Sequence, residues 1–165
     1  MSEATSSIDK FDRDILRLVQ KSNRLTVEFI GEEIGLSTAS VQRRLKRMRE
    51  NGTILSDVSI VSREVLGRSM TFIIEITMER DNLELVDQFK KDVIKNDIVQ
   101  QCYFITGNTD CILIVTADSM DGYDHFSRNF LYNNQNIRGF RTSVVMDSTK
   151  IGLFIPTEES VDKTV

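Results

Sequence analysis

Five cations, Arg43, Arg44, Lys46, Arg47 and Arg49, fall within seven positions of the stretch IGLSTASVQRRLKRMRENGTI. The chemistry open to such a cluster is recognition of a polyanion, because guanidinium and ammonium groups donate hydrogen bonds and charge but accept nothing. Residues suited to bond making are sparse by comparison. The one histidine, His125, stands between Asp124 and Phe126, with no second histidine or paired cysteine at metal-ligand spacing. No Gly-rich phosphate loop, nucleophile elbow or HExxH pattern occurs. The sequence therefore points away from an enzyme and offers no catalytic residue, no metal ligand set and no cofactor motif. Cys102 and Cys111 lie inside apolar runs and nothing suggests export, so they read as free, buried thiols.

The cations stand out because the chain is acidic overall, with a net charge of −4 over 165 residues. The balance is uneven: residues 1 to 63 hold 11 Lys/Arg against 9 Asp/Glu, a net +2, and residues 64 to 165 hold 10 against 16, a net −6. A split of this kind suggests that only the first half meets a polyanion. At 40 % hydrophobic and 28 % charged, the chain can bury a core of one domain or two small ones. No apolar run approaches the roughly 20 residues needed to span a membrane, and MSEATSSIDK lacks the form of a signal peptide. Those features predict a cytoplasmic protein that does not engage membranes.

Three short helices must carry the cations. In IDKFDRDILRLVQ, Ile8, Phe11, Ile15, Leu18 and Val19 recur at steps of three and four, with Asp9 able to cap the start. LTVEFIGEEIG offers Thr26 as a cap, Val27, Ile30 and Ile34 as a buried stripe, and Gly35 as the turn. A third helix starts at Ser37, with Val41, Leu45 and Met48 as its apolar seam. Opposite that seam lie Ala39, Arg43 and Lys46, flanked by Gln42 and Arg47. Helix, glycine turn and a helix with a basic outer face is the helix-turn-helix arrangement, whose second helix reads base edges near its N-terminus in the major groove of double-stranded DNA. The candidate DNA-binding residues are accordingly Ser37, Thr38, Ala39, Ser40, Gln42, Arg43, Arg44, Lys46 and Arg47. A charged face that is simply solvated is the plain alternative for an isolated RRLKRMR run; the preceding helix, turn and cap weigh against it. After Asn51-Gly52, the residues Ile54, Val58, Ile60 and Val61 suggest short β structure, either the wing of a winged helix or a strand leading onward.

The second half repeats one pattern. Residues 69 to 78 read as a strand, 82 to 95 as a helix and 98 to 105 as a strand; then 111 to 117, 120 to 131 and 138 to 146 repeat that order. Two βαβ units in tandem predict a ferredoxin-like βαββαβ domain with both helices on one face of an antiparallel sheet. The class is α+β, divided into a winged helix-turn-helix domain (1–53), a hinge (54–67), a ferredoxin-like domain (68–150) and a tail (151–165). In CILIVTA, Cys111, Leu113 and Val115 alternate with Ile112 and Ile114, so the strand is apolar on both faces. Only one face lies under helices, and the other predicts a homodimer.

The stretch from Ile8 to Ile54 resembles the N-terminal module of the feast/famine regulators, the leucine-responsive regulatory protein and AsnC family, in its D..D..IL..L start, R.T step, GLS, basic helix and closing G.I. TGNTDCILIV and FRTSVVMDSTK resemble the same family's TG..DY turn and T..V....K final strand. Two stretches depart from the pattern: LSDVS stands where a GY..A step is common, and Cys111 stands where an aromatic usually follows the aspartate. The resemblance implies a sequence-specific transcription regulator, a homodimer often assembled into tetramers or octamers, which binds a small amino acid at the contact between dimers. It places that effector near Gly107, Asn108, Thr109, Asp110 and Thr142. A zwitterion needs donors for its carboxylate and an acceptor for its ammonium, and a glycine turn beside Asp110 can supply both, although the same turn also suits plain hairpin geometry. Alternatives are an effector-independent architectural DNA-organising protein associated with the nucleoid and, further off, an amino-acid sensor or enzyme built on a ferredoxin-like dimer.

Overall fold

Asp9, Thr26 and Ser37 start the three N-terminal helices, each accepting a backbone N–H three residues on through its side-chain oxygen. The computed structural model describes residues 8–79 and 83–158. Helix α1 spans Lys10–Val19, α2 Val27–Ile34 and α3 Thr38–Glu50. Between α2 and α3, Gly35 takes the left-handed conformation (φ +73°) that closes a helix without steric cost. Gly31 is needed for a different reason: a Cβ there would stand 2.6 Å from the Leu36 carbonyl oxygen, closer than real contacts allow. The turn is therefore as tight as two glycines permit. Ile15, Ile30, Val41, Leu45 and Met48 meet in the buried core of this bundle, each contributing roughly 2 kcal/mol by leaving water.

No strand occurs among residues 51–69, so the hairpin that would make a wing is not formed. Ile60 and Leu55 stay exposed, and this extended stretch has no ladder partner among the described residues. Turns over Ser62–Gly67 follow, and Arg63 donates to the Thr71 hydroxyl at 2.6 Å.

The second unit is built on strands β1 (Met70–Met78), β2 (Val99–Phe104), β3 (Cys111–Ala117) and β4 (Ile137–Val144). They form one antiparallel sheet in the order β2-β3-β1-β4, the order a tandem βαβ repeat requires. Helices α4 (Leu83–Ile94) and α5 (Met120–Phe126) supply Phe89 and Phe126 to the face formed by Phe72, Ile74, Ile76, Cys111, Leu113 and Val115. The helix after α5 continues as a π-helical turn, Ser127–Tyr132, which carries Leu131 into the same core. On the other face stand Ile73, Tyr103, Ile112 and Ile114, of which Ile73 and Tyr103 are exposed and the two β3 residues half-buried.

The chain divides into two compact units, one of residues up to Ile60 together with those from Ile151 onward, the other Val61–Lys150. The returning segment is fastened to α1. Gln20 donates from Nε2 to the Ile155 carbonyl at 3.0 Å and accepts the Ile155 N–H on Oε1 at 2.8 Å, which imitates a strand pair with one side chain. No helix among the described residues is long and apolar enough to cross a membrane.

Candidate nucleic-acid interface and effector loop

The seam of α3 fixes which cations can point outward. With Val41, Leu45 and Met48 buried, Ala39, Gln42, Arg43 and Lys46 are exposed together. No acidic side chain among the described residues engages Arg43, and Lys46 lies 3.8 Å from Glu50 one turn on. An exposed pair of that kind contributes a few tenths of a kcal/mol, so Lys46 is free to turn toward a phosphate. Ser37 and Ser40 sit at the helix start, the Ser37 hydroxyl accepting the Ser40 N–H at 3.3 Å, and Thr38 opens the first turn. Those N-terminal amides and hydroxyls form the end of α3 that a helix-turn-helix inserts into the groove.

Arg44 and Arg47 are held differently. Arg44 Nη1 lies 2.7 Å from Asp9 and 2.8 Å from Asp12, its guanidinium over the Phe11 ring, and Arg47 Nη2 lies 2.5 Å from the other Asp12 oxygen. Asp12 is 1 % exposed, and its carboxylate is held inside the bundle by two guanidiniums and the Asp9 N–H of its own capping box. The Asp12 N–H, helped by Arg44, holds the Asp9 carboxyl below its ordinary value against the opposing cost of burial. This anchor between α1 and α3 is absent from the reading of the sequence. Its signal was there: Asp12 falls on the apolar stripe of α1, and a carboxylate at a core-facing position requires a cationic partner from elsewhere.

The proposed effector residues do not converge within one chain. Asp110 lies at the mouth of the β2–β3 hairpin, where its carboxylate accepts the Met78 N–H at 2.9 Å, its own N–H donates to Ile76 O at 3.0 Å and its carbonyl accepts Ile105 N–H at 3.0 Å. Three bonds brace the exposed Gly107 and Asn108 turn and the half-buried Thr109. Thr142 pairs with Ile74 on the far flank of β1, and its hydroxyl meets the Tyr123 hydroxyl of α5. It is separated from Asp110 by about 10 Å along β1 and about 10 Å across two strand spacings. Tyr123 itself, stacked on Phe72 with centroids 4.2 Å apart, is pushed toward a higher pKa by burial. Cys102 and Cys111 are free thiols, Cys111 buried and Cys102 half-buried; His125 is exposed on α5 beside Asn129.

Comparison with known proteins agrees with this geometry. Residues 8–49 match the AsnC-type helix-turn-helix domain and residues 71–152 the Lrp/AsnC ligand binding domain. An HTH-type transcriptional regulator of Sinorhizobium fredii is 43 % identical over 96 % of this chain and 94 % of its own length. The transcriptional regulator AzlB of Bacillus subtilis is 32 % identical over 92 % and 97 %. Among solved structures, a transcriptional regulator of Neisseria meningitidis in complex with L-methionine superposes with a TM-score of 0.86 at 25 % identity, covering 91 % of this chain and 97 % of the other. An AsnC family regulator from Agrobacterium tumefaciens gives 0.85 at 26 %, covering 90 % and 96 %. With both modules matched in order and a 43 % identical relative covered almost end to end, the chain belongs to the Lrp/AsnC family of transcription regulators.

Proposed function

We propose that this regulator binds operator DNA through the Ala39, Gln42, Arg43 and Lys46 face of α3, and that a small amino acid modulates it by changing how its subunits assemble. The observation that carries the DNA reading is the division of labour among the cations. Arg44 and Arg47 are tied to Asp12, while Arg43 and Lys46 are left outward on a helix whose N-terminus is also polar and exposed. A bidentate Arg43 contact would read a guanine edge, and Lys46 would position the helix on the backbone. Ser37, Thr38 and Ser40 would meet phosphate oxygens.

Assembly follows from the open face of the sheet. Ile73, Tyr103, Ile112 and Ile114 form an apolar surface that a second copy would cover by the same surface, about a two-fold axis that matches a palindromic operator. The separation of Asp110 from Thr142 supports an effector site completed by another subunit, with Gly107 to Asp110 from one chain and Thr142 from another. The Neisseria relative, solved with L-methionine, supports an amino acid as the ligand. Such a ligand binds one assembly better than another and so shifts the oligomer equilibrium. This reading places the protein in the cytoplasm at the nucleoid.

Two measurements test it. Gel shifts across a salt series should give an affinity that falls steeply with salt, and indifference to salt removes the DNA reading. Thermal unfolding with each of the twenty amino acids should raise the midpoint for the true effector by mass action. A flat response across the panel returns the protein to the effector-independent architectural role.

A further inference from the structure

Cys102 on β2 and Cys111 on β3 face the same way, toward α4, with their sulfurs 3.5 Å apart. They are diagonal neighbours, since Cys102 pairs with Leu113 and Cys111 with Phe104. A disulfide needs a sulfur separation of about 2.05 Å, so closure requires a movement of about 1.5 Å. β2 can supply it. It is an edge strand whose one ladder partner among the described residues is β3, and its register already shifts between Val99 and Gln101.

The two thiols are chemically unequal. Cys111 is 0 % exposed, packed in the core with Ile76 and Phe89, whereas Cys102 is half-buried at the core margin. A solvent-borne oxidant therefore meets Cys102 first. Lys90, whose ammonium lies over the Phe104 ring, contributes positive charge beside it. The hydrogen bond from Cys111 and then the Lys90 charge favour the Cys102 thiolate against the cost of burial, while that hydrogen bond and burial push the Cys111 thiol up. A nucleophilic sulfur at the rim and a protonated sulfur behind it is the arrangement of a reactive and a resolving cysteine.

We propose that Cys102 and Cys111 form a hydroperoxide-reactive dithiol, converted reversibly to an intrachain disulfide across the β2–β3 hairpin. The Cys102 thiolate attacks the terminal oxygen of a hydroperoxide; the S–O bond forms, the O–O bond breaks, and the leaving oxygen takes up a proton as water or an alcohol. The Cys111 sulfur then attacks the Cys102 sulfenic acid. The S–S bond forms, the S–O bond breaks, and the departing hydroxide leaves as water with the Cys111 proton. Two thiols lose two electrons and the peroxide gains them. A low-molecular-weight thiol reverses the change by exchange. This site stands apart from the effector reading and does not depend on it, although Cys111 directly follows Asp110.

The test uses the full-length protein, reduced, desalted and treated with hydrogen peroxide at neutral pH. Intact mass after denaturing alkylation should show loss of two hydrogens and of both alkyl groups, restored by dithiothreitol. Cleavage on the N-terminal side of aspartate divides residues 97–109 from 110–117, and the two fragments should remain joined only in the oxidised sample. Cys102→Ser should leave Cys111 unoxidised in the folded protein, and Cys111→Ser should leave a sulfenic acid at Cys102 that dimedone traps. Wild-type protein that accumulates sulfinic acid at Cys102 beside an alkylatable Cys111, or that links only between chains, or that shows no oxidation, overturns the proposal. Because the wild-type measurement alone decides, misfolding of a variant does not obscure the result.

Discussion

The outer face of α3 and the open face of the sheet are opposite cases. On α3 the apolar seam is buried, the flanking arginines are fastened to Asp12, and what remains outward is polar and at ease in water. The sheet presents Ile73 and Tyr103 exposed and Ile112 and Ile114 half-buried, with no helix laid over them among the described residues. The first surface is finished within one chain and can wait for DNA. On the proposed reading the second is finished by another copy of the chain, and so is the effector site. Reading DNA is then a local property of three helices, and regulation a property of the assembly.

Charge placed on β3 sharpens that contrast most. Leu113→Lys puts an ammonium into the core under α4 and α5 and should abolish cooperative unfolding, followed by circular dichroism. Ile112→Lys, one residue away on the other face, should keep the fold but sediment as a monomer, against the dimer that the proposed reading expects of the wild type. Identical sedimentation of that variant and wild type would break the comparison at its sheet end.

The next effect belongs to the anchor. Asp12→Ala removes the carboxylate that holds Arg47 and leaves Arg44 with Asp9 alone, and should destabilise the helical unit by about 1 to 3 kcal/mol in urea titration, lowering DNA affinity only through loss of folded protein. Gly31→Ala, which drives a Cβ against the Leu36 carbonyl, should cost about 1 to 3 kcal/mol in the same assay. If Asp12→Ala changes sequence preference at unchanged stability, the arginines read DNA after all.

Arg43→Ala should weaken operator binding by about 1 to 3 kcal/mol and relax preference at one base pair, with unchanged unfolding. Lys46→Ala should weaken all sequences alike and flatten the salt slope by about one. Equal salt slopes for both variants would exchange the two roles.

The smallest expected effect is acid sensitivity. The Asp9 carboxyl lies below its ordinary value of 3.8 when folded, so its contribution is present above that value and lost as pH falls through the depressed one. Thermal midpoints of wild type and Asp9→Asn should therefore differ near neutrality and converge as pH falls through the depressed value. A gap that persists there assigns the stabilisation to shape instead of charge.

Much of this was legible because it is local. Asp9, Thr26, Ser37 and Gly35 mark helix ends by chemistry within four residues, and the strand and helix periods of residues 69 to 146 read directly. The split βαβ order then follows from connectivity. Distant pairings were not legible. Asp12 finds its cations 32 and 35 residues away, and the spacing of RRLKRMR cannot tell a fastened arginine from a free one. Alternation in CILIVTA established two apolar sets but not which lies under the helices, since a period of two is symmetric about the sheet. The wing failed for a related reason: Ile54, Val58 and Ile60 have strand propensity, yet a strand needs a partner, and this stretch has none among the described residues.

The clasp between Gln20 and Ile155 has a consequence in time. It closes across 135 residues with two neutral hydrogen bonds, each contributing about 1 kcal/mol net at an exposed site. With a long Arg13 to Thr157 bond beside it at 3.5 Å, a fastening so light should still open before the helical core does, and the Ile155 amide should exchange its hydrogen far sooner than those of Ile15 or Leu45. The outer surface of α1 is then occupied intermittently, and a protease should find Leu153 and Phe154 in the open intervals without waiting for any domain to unfold.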